Sequence, residues 1–176
     1  MFRRIFALGS LVGVITLLVA LPYASAVHVR AHDTSPQDGE DTLLGIARRY
    51  TDDIWNQQDL EAGETLFAED FVDHHPAPGQ LPGWEGYRNT VLLYHEAFPD
   101  LEVWNDDVFA SGDRVAIRWT AIGTYEGELL GIPASGNPVT ITGIDILRIV
   151  DGQIAERWAE DNALGLMGQI GALGSS

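Results

Sequence analysis

The apolar positions of this chain change their period about halfway along it. Up to Pro99 they recur every three to four residues, which is the period of one buried face of a helix. This pattern predicts three helices, over residues 41–57, 60–67 and 84–97. The last of them is expected to end where Pro99 removes a backbone donor and cannot continue the helix.

From Leu101 onward, β-branched and aromatic residues come in short runs that are typical of strands. Asp151 and Gly152 stand between two such runs, residues 141–150 and 153–158, and predict a two-residue hairpin turn. Helices followed by an antiparallel meander indicate an α+β fold. A curved antiparallel sheet wrapped over helices forms a cone, and the mouth of a cone is a ready pocket.

The first 26 residues have the features of a signal peptide. Arg3 and Arg4 form a basic head, residues 5–21 are an apolar run, and residues 24–26 form a small-x-small cleavage motif. Cleavage after residue 26 predicts an exported protein, which would be extracellular, periplasmic or held at the cell surface. The alternative is an uncleaved single-span anchor, since the apolar run approaches the shortest length that crosses a bilayer. The arginine pair also matches a twin-arginine export signal, and the sequence does not decide between the two export routes.

The remaining chain divides into a polar linker over residues 27–40, one domain over residues 41–171 and a short tail over residues 172–176. All ten basic residues are arginines, and 26 acidic residues give a formal net charge of −16. This charge repels phosphate backbones and anionic lipids, so we expect no nucleic-acid partner and no stable membrane association after cleavage. Because the chain has no cysteine, it contains neither disulfides nor a zinc–thiolate site.

Several segments, in this order along the chain, resemble one known family. They are residues 73–76 (DHHP), 97–101 (AFPDL), 112–119 (GDRVAIRW), 123–127 (GTYEG), 131–136 (GIPASG) and 158–161 (WAED), followed by glycines 165 and 171. Together they resemble the SnoaL-like polyketide cyclases, also called ester cyclases, of the nuclear transport factor-like cone superfamily. The resemblance covers about residues 41–171 and implies a cone-shaped antiparallel sheet wrapped on N-terminal helices, a cystatin-like α+β fold.

The resemblance also implies a cofactor-free enzyme that closes a ring by intramolecular aldol condensation of a small, apolar, carbonyl-containing molecule. Asp161 matches the aspartate that removes a proton next to a carbonyl group in that family. An apolar pocket would desolvate this carboxylate and raise its pKa, which makes it a better base, and Trp158 could supply the pocket wall. The alternative is that Asp161 only caps a helix that begins at Ala163.

Two histidines and one tyrosine are further candidates. His74 matches the histidine of the family's Asp-His-x-Pro pattern, and His75 is an addition of this chain. Either imidazole could polarise a carbonyl or hold a water, although both could be plain surface residues. Tyr125 stands where many members have histidine, and its phenol could donate a hydrogen bond to an enolate oxygen. Asp70 and Asp73 lie near the histidines, but the spacing fits no zinc pattern, so we predict no metal and no cofactor.

Asp145 and Arg118 are polar residues inside otherwise apolar strands. If both face the cone they could form a pair that limits the cost of burying either charge, and otherwise they lie on the solvated side of the sheet. Together with His75 and Trp158, they are the predicted substrate-binding residues. Trp104 and Trp119 would suit the outer face of the sheet, which we expect a second copy to cover in a homodimer.

Three functions are open at this point. The preferred one is a secreted cyclase or isomerase that uses Asp161 as the base, with His74 and Tyr125 orienting a carbonyl. The second is a non-catalytic module that binds a small molecule in the same cone. The third is epoxide or ester hydrolysis, for which Asp145 with Arg118 is the candidate pair. Export counts against polyketide biosynthesis itself, because the cyclases of that pathway work inside the cell.

Overall fold

The computed structural model describes residues 36–173, and within this range it has four α-helices and one five-stranded sheet. The predicted signal peptide, with its cleavage site, lies outside the described residues. No helix within 36–173 has the length and apolar character needed to cross a membrane. The fold class is α+β, as the sequence predicts.

Three helices precede most of the sheet. Helix α1 spans Pro36–Arg49 and continues as a π-helical segment over Tyr50–Asn56, α2 spans Leu60–Leu66, and α3 spans Gly83–Ala97. These positions confirm the three predicted helices. The first helix begins inside the predicted linker, because a proline suits the first helical turn, where its missing N–H has no partner to lose.

The sheet has the strand order β1-β5-β4-β3-β2. The strands are β1 (Phe67–Asp73), β2 (Glu102–Ser111), β3 (Arg114–Thr124), β4 (Pro138–Val150) and β5 (Gln153–Asp161). Strands β2 to β5 form the predicted antiparallel meander. Asp151 and Gly152 make the predicted hairpin turn between β4 and β5, with φ angles of 50° and 80°. Positive φ at both central residues is what a tight turn between twisted strands requires.

Strand β1 has no counterpart in the predicted elements. It pairs in parallel with β5 at the edge of the sheet, and its register shifts between Phe67 and Val72. Its buried residues are Phe67 and Phe71, which lie four positions apart, a spacing that suits a helix as well as an irregular strand. The hydrophobic pattern therefore gives no clear strand signal here.

Two clusters of buried side chains form the core. The larger joins helix α1, the π-helical segment and α3 to the inner face of the sheet, and includes Ile54, Val91, Ile117 and Leu147. The smaller joins the end of α3 and helix α4 (Ala163–Gln169) to strands β2, β3 and β4, and it buries Leu166. Between them these clusters fix the helices against the sheet, so the surfaces that face each other across the interior are held in place.

Candidate functional site

A cavity of about 460 Å³ opens between the helices and the inner face of the sheet. This volume is in the range of small-molecule binding sites. Residues of the π-helical segment, α3, α4 and strands β2 to β5 line it. Its aromatic lining residues are Tyr50, Trp55, Tyr87, Tyr94 and Trp119. Its acidic and basic ones are His75, Asp145, Arg157, Glu160 and Asp161.

Arg157 lies between two buried carboxylates at one wall of the cavity. Its Nε is 3.2 Å from Oδ2 of Asp145, and its Nη2 is 3.2 Å from Oδ1 of the same residue. Its Nη1 lies 3.2 and 3.3 Å from the two carboxylate oxygens of Asp73. The three side chains are 11 %, 3 % and 4 % exposed for Arg157, Asp145 and Asp73. Burial of this cluster is tolerable because every charge faces an opposite one at hydrogen-bond distance.

Aromatic donors complete the surroundings of Asp145. The Tyr50 hydroxyl donates to Oδ2 over 2.5 Å, and the Trp119 indole donates to Oδ1 over 3.2 Å. The Tyr87 hydroxyl is hydrogen-bonded to that of Tyr50, and it accepts from the Trp55 indole over 3.2 Å. Burial raises the pKa of both tyrosines, so they stay protonated at neutral pH. The hydroxyls of Tyr50 and Tyr87 are therefore hydrogen-bonded to other groups of the protein.

Local backbone features bring these groups together. Tyr50 and Trp55 belong to the π-helical segment, a rare, wide helical form that is frequently found at functional sites. On strand β4, Gly143 and Asp145 point to the same side, because side chains alternate along a strand. A Cβ at Gly143 would come within 2.4 Å of the Trp119 ring, so the glycine leaves the room in which the indole reaches Asp145.

Asp161 ends strand β5 and is a solvent-exposed residue that lines the cavity. Desolvation raises its pKa, and the charges of Asp145 and Glu160 act in the same direction, while Arg157 and the Ala163 backbone N–H oppose them. Within residues 36–173 it makes no ion pair. Asp161 is thus a cavity carboxylate with an elevated proton affinity and no bound cation.

The expected contact between Asp161 and the start of α4 is present, because its carboxylate accepts a hydrogen bond from the Ala163 backbone N–H, and the residue at the N-cap position itself is its neighbour. Asn162 is the N-cap of α4, and its Oδ1 accepts a hydrogen bond of 3.0 Å from the Gly165 backbone N–H. This bond satisfies one of the free donors at the helix start.

Tyr94 is a phenol at the cavity that the sequence reasoning did not select. It lies on α3, its ring meets that of Trp55 edge to face at 6.0 Å, and it also contacts Phe98. Its pKa is raised by burial first and then by the negative charge of Asp161. Its hydroxyl forms no hydrogen bond with another described residue, unlike those of Tyr50 and Tyr87.

His74 and Trp158 lie on the outer face of the sheet and do not line the cavity. Their rings stack at 4.5 Å with an interplanar angle of 5°, and His74 Nε2 is 2.6 Å from Glu156 Oε2. Trp158 follows the inward-facing Arg157, so it must face outward. Trp158 was expected to line the pocket beside Asp161, and His74 was expected to contact the substrate. Neither expectation agrees with this placement.

Tyr125 and Arg118 are also outside the cavity. Tyr125 is fully buried, with its hydroxyl donating to the Ile132 carbonyl and accepting from the Leu129 N–H, so it has no proton left to offer a substrate. Arg118 lies opposite Ile144 in the sheet and pairs with Asp106 and Asp107 on the outer face. It cannot pair with Asp145, because neighbouring positions on β4 face opposite sides.

Two of the predicted binding residues do line the cavity, namely Asp145 and His75. His75 is exposed, and its Nε2 lies 3.1 Å from Glu160 Oε1. The metal alternative finds no support in the described part of the chain, where no three histidine or acidic side chains are grouped to hold an ion. Trp119, expected on an outer dimer face, instead points inward to Asp145.

Comparison with known proteins agrees with this architecture. Residues 45–170 match the sequence profile described as SnoaL-like polyketide cyclase. No curated protein sequence matches the chain. TsrD from Streptomyces laurentii is 30 % identical and superposes with a TM-score of 0.68, over 75 % of this chain and 96 % of its own.

Two further solved structures are similar. The SnoaL-like protein from Jannaschia sp. CCS1 is 27 % identical with a TM-score of 0.70, over 80 % of this chain and 97 % of its own. IdmH from Streptomyces antibioticus is 29 % identical with a TM-score of 0.61, over 74 % of this chain and 96 % of its own. The matched region contains every residue that lines the cavity.

Proposed function

The chain belongs to the SnoaL-like polyketide cyclase family, and we propose that it is a cofactor-free cyclase or isomerase that acts on a small carbonyl compound with Asp161 as the general base. The observation that carries this proposal is the contrast between the carboxylates of the cavity. Asp145 is buried and tied to Arg157, whereas Asp161 is exposed to the cavity, makes no ion pair among the described residues and has a raised pKa. A base needs a free lone pair and a substantial proton affinity, and Asp161 meets both conditions.

The chemistry starts with proton removal. The Asp161 carboxylate takes a proton from the carbon next to the substrate carbonyl, and the C–H electron pair forms an enolate. The Tyr94 hydroxyl, which lies in the same electrostatic neighbourhood, donates a hydrogen bond to the enolate oxygen. Tyr94 thus takes the role that the sequence had suggested for Tyr125.

The enolate then reacts in one of two ways. In a cyclase its carbon attacks a second carbonyl of the same molecule, a C–C bond forms, and Asp161 returns its proton to the new alkoxide. In an isomerase Asp161 returns the proton to a different carbon of the conjugated system. The chain contains no lysine, so the side chains offer no amine for an enamine route and the carbanion must be stabilised as an enolate.

Exchange of the substrate's α-hydrogen tests the base step without knowledge of the natural substrate. We would follow loss of deuterium from the α-carbon of a deuterated aryl ketone by NMR, with the wild type, Asp161→Asn and the exposed control Asp113→Asn. The expected result is catalysed exchange that falls by roughly 10²- to 10⁴-fold in Asp161→Asn and is unchanged in the control. Full exchange activity in Asp161→Asn would remove Asp161 as the base.

A second candidate function is hydrolysis of an epoxide or ester, because Asp145, Arg157 and Asp73 place two carboxylates around one guanidinium at the cavity. Arg157 replaces Arg118 as the partner of Asp145 in this alternative. Asp145 would take a proton from water while the water oxygen attacks an epoxide carbon, and an acid would protonate the opening ring oxygen. We rank it second because hydrogen bonds from Tyr50, Trp119 and Arg157 already occupy Asp145.

A non-catalytic binding module would retain its ligand without converting it, unlike an enzyme. Native mass spectrometry of the protein from its own host, beside Asp161→Asn, separates the cases. A carbonyl-bearing molecule that accumulates on the variant supports turnover, whereas equal retention by both proteins supports a binding module.

We also propose that the protein is exported, on the strength of the basic head, apolar run and cleavage motif of residues 1–26. Its substrate would then be met outside the cytoplasm. The net charge of −16 supports a small-molecule partner over nucleic acid or an anionic membrane.

A further inference from the structure

The charges that line the cavity are unbalanced. Two carboxylates, those of Asp145 and Asp161, lie on the inner face with one guanidinium, that of Arg157. Glu160 is a third acidic lining residue, and its side chain, opposite Ile144, points to the outer side. His75 lies 3.1 Å from Glu160 and so faces an acidic partner of its own. The chain has no lysine, and Arg157 is the only arginine among the described residues that line the cavity.

All three nitrogens of Arg157 already donate to groups of the protein. Its Nε and Nη2 donate to Asp145, and its Nη1 donates to Asp73, which lies on β1 behind it. Together the three groups carry a net charge of −1. A ligand carboxylate would lose its hydration in the cavity without gaining a bidentate arginine in return.

The exposed end of β5 adds negative charge. The Glu160 side chain is 83 % exposed, and Asp161 is exposed beside it. The charges of Asp145 and Glu160 penalise the ionised form of Asp161, and the same field would penalise a negative group on a ligand.

The aromatic side chains of the cavity lining favour a positively charged ligand. Trp55, Tyr94 and Trp119 line the cavity, and the face of an aromatic ring attracts a cation. A protonated amine would therefore meet both carboxylates and aromatic rings inside one apolar enclosure, whereas a neutral group would gain only the apolar contact.

We propose that the cavity selects its ligand by charge, and that it prefers a carbonyl compound bearing a protonated amine over its neutral isostere and excludes carboxylates and phosphates. This inference rests on the proposed function only in taking the cavity as the substrate site. It assigns a substrate class, amine-bearing carbonyl compounds.

Three aryl ketones of similar size provide the test: 4-(aminomethyl)acetophenone, 4-(hydroxymethyl)acetophenone and 4-acetylbenzoate. Their dissociation constants would be measured at pH 7 by NMR titration of the ¹⁵N-labelled protein, in low and in high salt. We expect the amine to bind most tightly, the alcohol more weakly and the acid not at all in the accessible range. Because salt screens charges, the advantage of the amine over the alcohol should shrink in high salt.

The variant Glu160→Gln tests whether Glu160 contributes to the preference for the amine. Its control is Glu102→Gln, at an exposed position of strand β2. We expect Glu160→Gln to weaken amine binding by roughly 2- to 5-fold and leave alcohol binding unchanged, and the control to change neither. Equal binding of acid and alcohol, an amine no tighter than the alcohol, or no binding of the amine would each overturn the proposal. Because these titrations need no turnover, their outcome is independent of whether Asp161 is the base in the exchange experiment.

Discussion

At the scale of single residues, Asp161 and Tyr94 show how one cavity raises the pKa of both a carboxyl and a phenol. Desolvation raises the pKa of both side chains, and the charge of Asp161 raises that of Tyr94 further. The carboxyl becomes a stronger base and the phenol stays protonated as a donor. A base beside a proton donor is what formation of an enolate requires.

The raised pKa of Asp161 predicts the pH dependence of the α-hydrogen exchange. A carboxylate base works only when it is ionised, so the rate should fall as pH drops through a pKa above the ordinary aspartate value of about 3.9. Glu160→Gln removes one of the charges that raise this pKa, so the acid limb should move down by roughly a few tenths of a unit. An acid limb at or below the ordinary value in the wild type would contradict a desolvated base.

Tyr94→Phe tests the proposed donor. Removal of one hydrogen bond to a developing oxyanion should lower the exchange rate by about 10²-fold or more, while ketone binding changes little because the ring remains. The measurement is the exchange rate together with the dissociation constant of the neutral ketone. Tyr125→Phe is the matched control, since its buried hydroxyl bonds only to the backbone, and it should affect stability and not the exchange rate. A parallel loss of rate in both variants would point to a structural effect.

Single residues also show how much of the cavity lining the sequence indicates. The motif points to Asp161, and a charge inside an apolar strand points to Asp145, and both residues line the cavity. Tyr50 and Tyr94 lie at helical spacing among apolar residues, and a helical period alone does not distinguish a residue that lines a cavity from one that fills a core.

At the scale of elements, a β-bulge decides which face of β5 meets the cavity. The turn at Asp151 and Gly152 pairs Val150 with Gln153, and regular counting from there would set Trp158 opposite Asp145 and facing inward. The register shifts between Arg148 and Ile149, so Leu147 meets Arg157 and every later side chain of β5 is moved by one. A one-residue shift exchanges the two faces of a strand. The turn is visible in the sequence, whereas the bulge is not, which is why Arg157 was missed and Trp158 was misplaced.

Two glycine-to-alanine substitutions, one on β4 and one in α1, test whether an added methyl group has room at each position. Gly143→Ala should push the Trp119 ring out of its place and destabilise the protein by about 1–3 kcal/mol, because the added methyl overlaps the indole. Gly45→Ala in α1 adds a methyl where no atom lies within 4 Å, and should stabilise it by about 0.5–1 kcal/mol. Urea denaturation measures both changes. A neutral Gly143→Ala would mean that the Trp119 ring moves aside freely.

At the scale of the whole molecule, the outer face of the sheet carries several exposed apolar side chains. Phe109, Ile144 and Ile146 are 68 %, 49 % and 37 % exposed on this face, and Trp104 is 40 % exposed beside them. Part of its negative charge is neutralised, since Arg118 pairs with Asp106 and Asp107, and Arg148 pairs with Glu156. On a chain with a net charge of −16, this is a surface where a second copy can approach without strong repulsion. We propose that two copies pair through it.

Phe109→Glu should convert this dimer to a monomer, because it puts a carboxylate on each side of an apolar contact. Leu164→Glu, at a residue of α4 that is 71 % exposed, is the control and should leave the dimer intact. Sedimentation velocity at micromolar concentration measures the oligomeric state of both variants. A wild type that sediments as a monomer would remove the proposal.

The tie between Arg157 and Asp73 has a consequence for how the molecule assembles. Strand β1 joins the sheet only through its parallel pairing with β5, which comes from the far end of the domain. Contacts between segments so distant in the chain close late, after the intervening hairpins have brought the ends together. We therefore expect Asp73 and Arg157 to meet late in folding, which would show as protection of β1 amides after those of the β2–β5 meander in pulsed hydrogen exchange. A partly folded chain would have no finished cavity, and occupancy of the cavity would report that folding is complete.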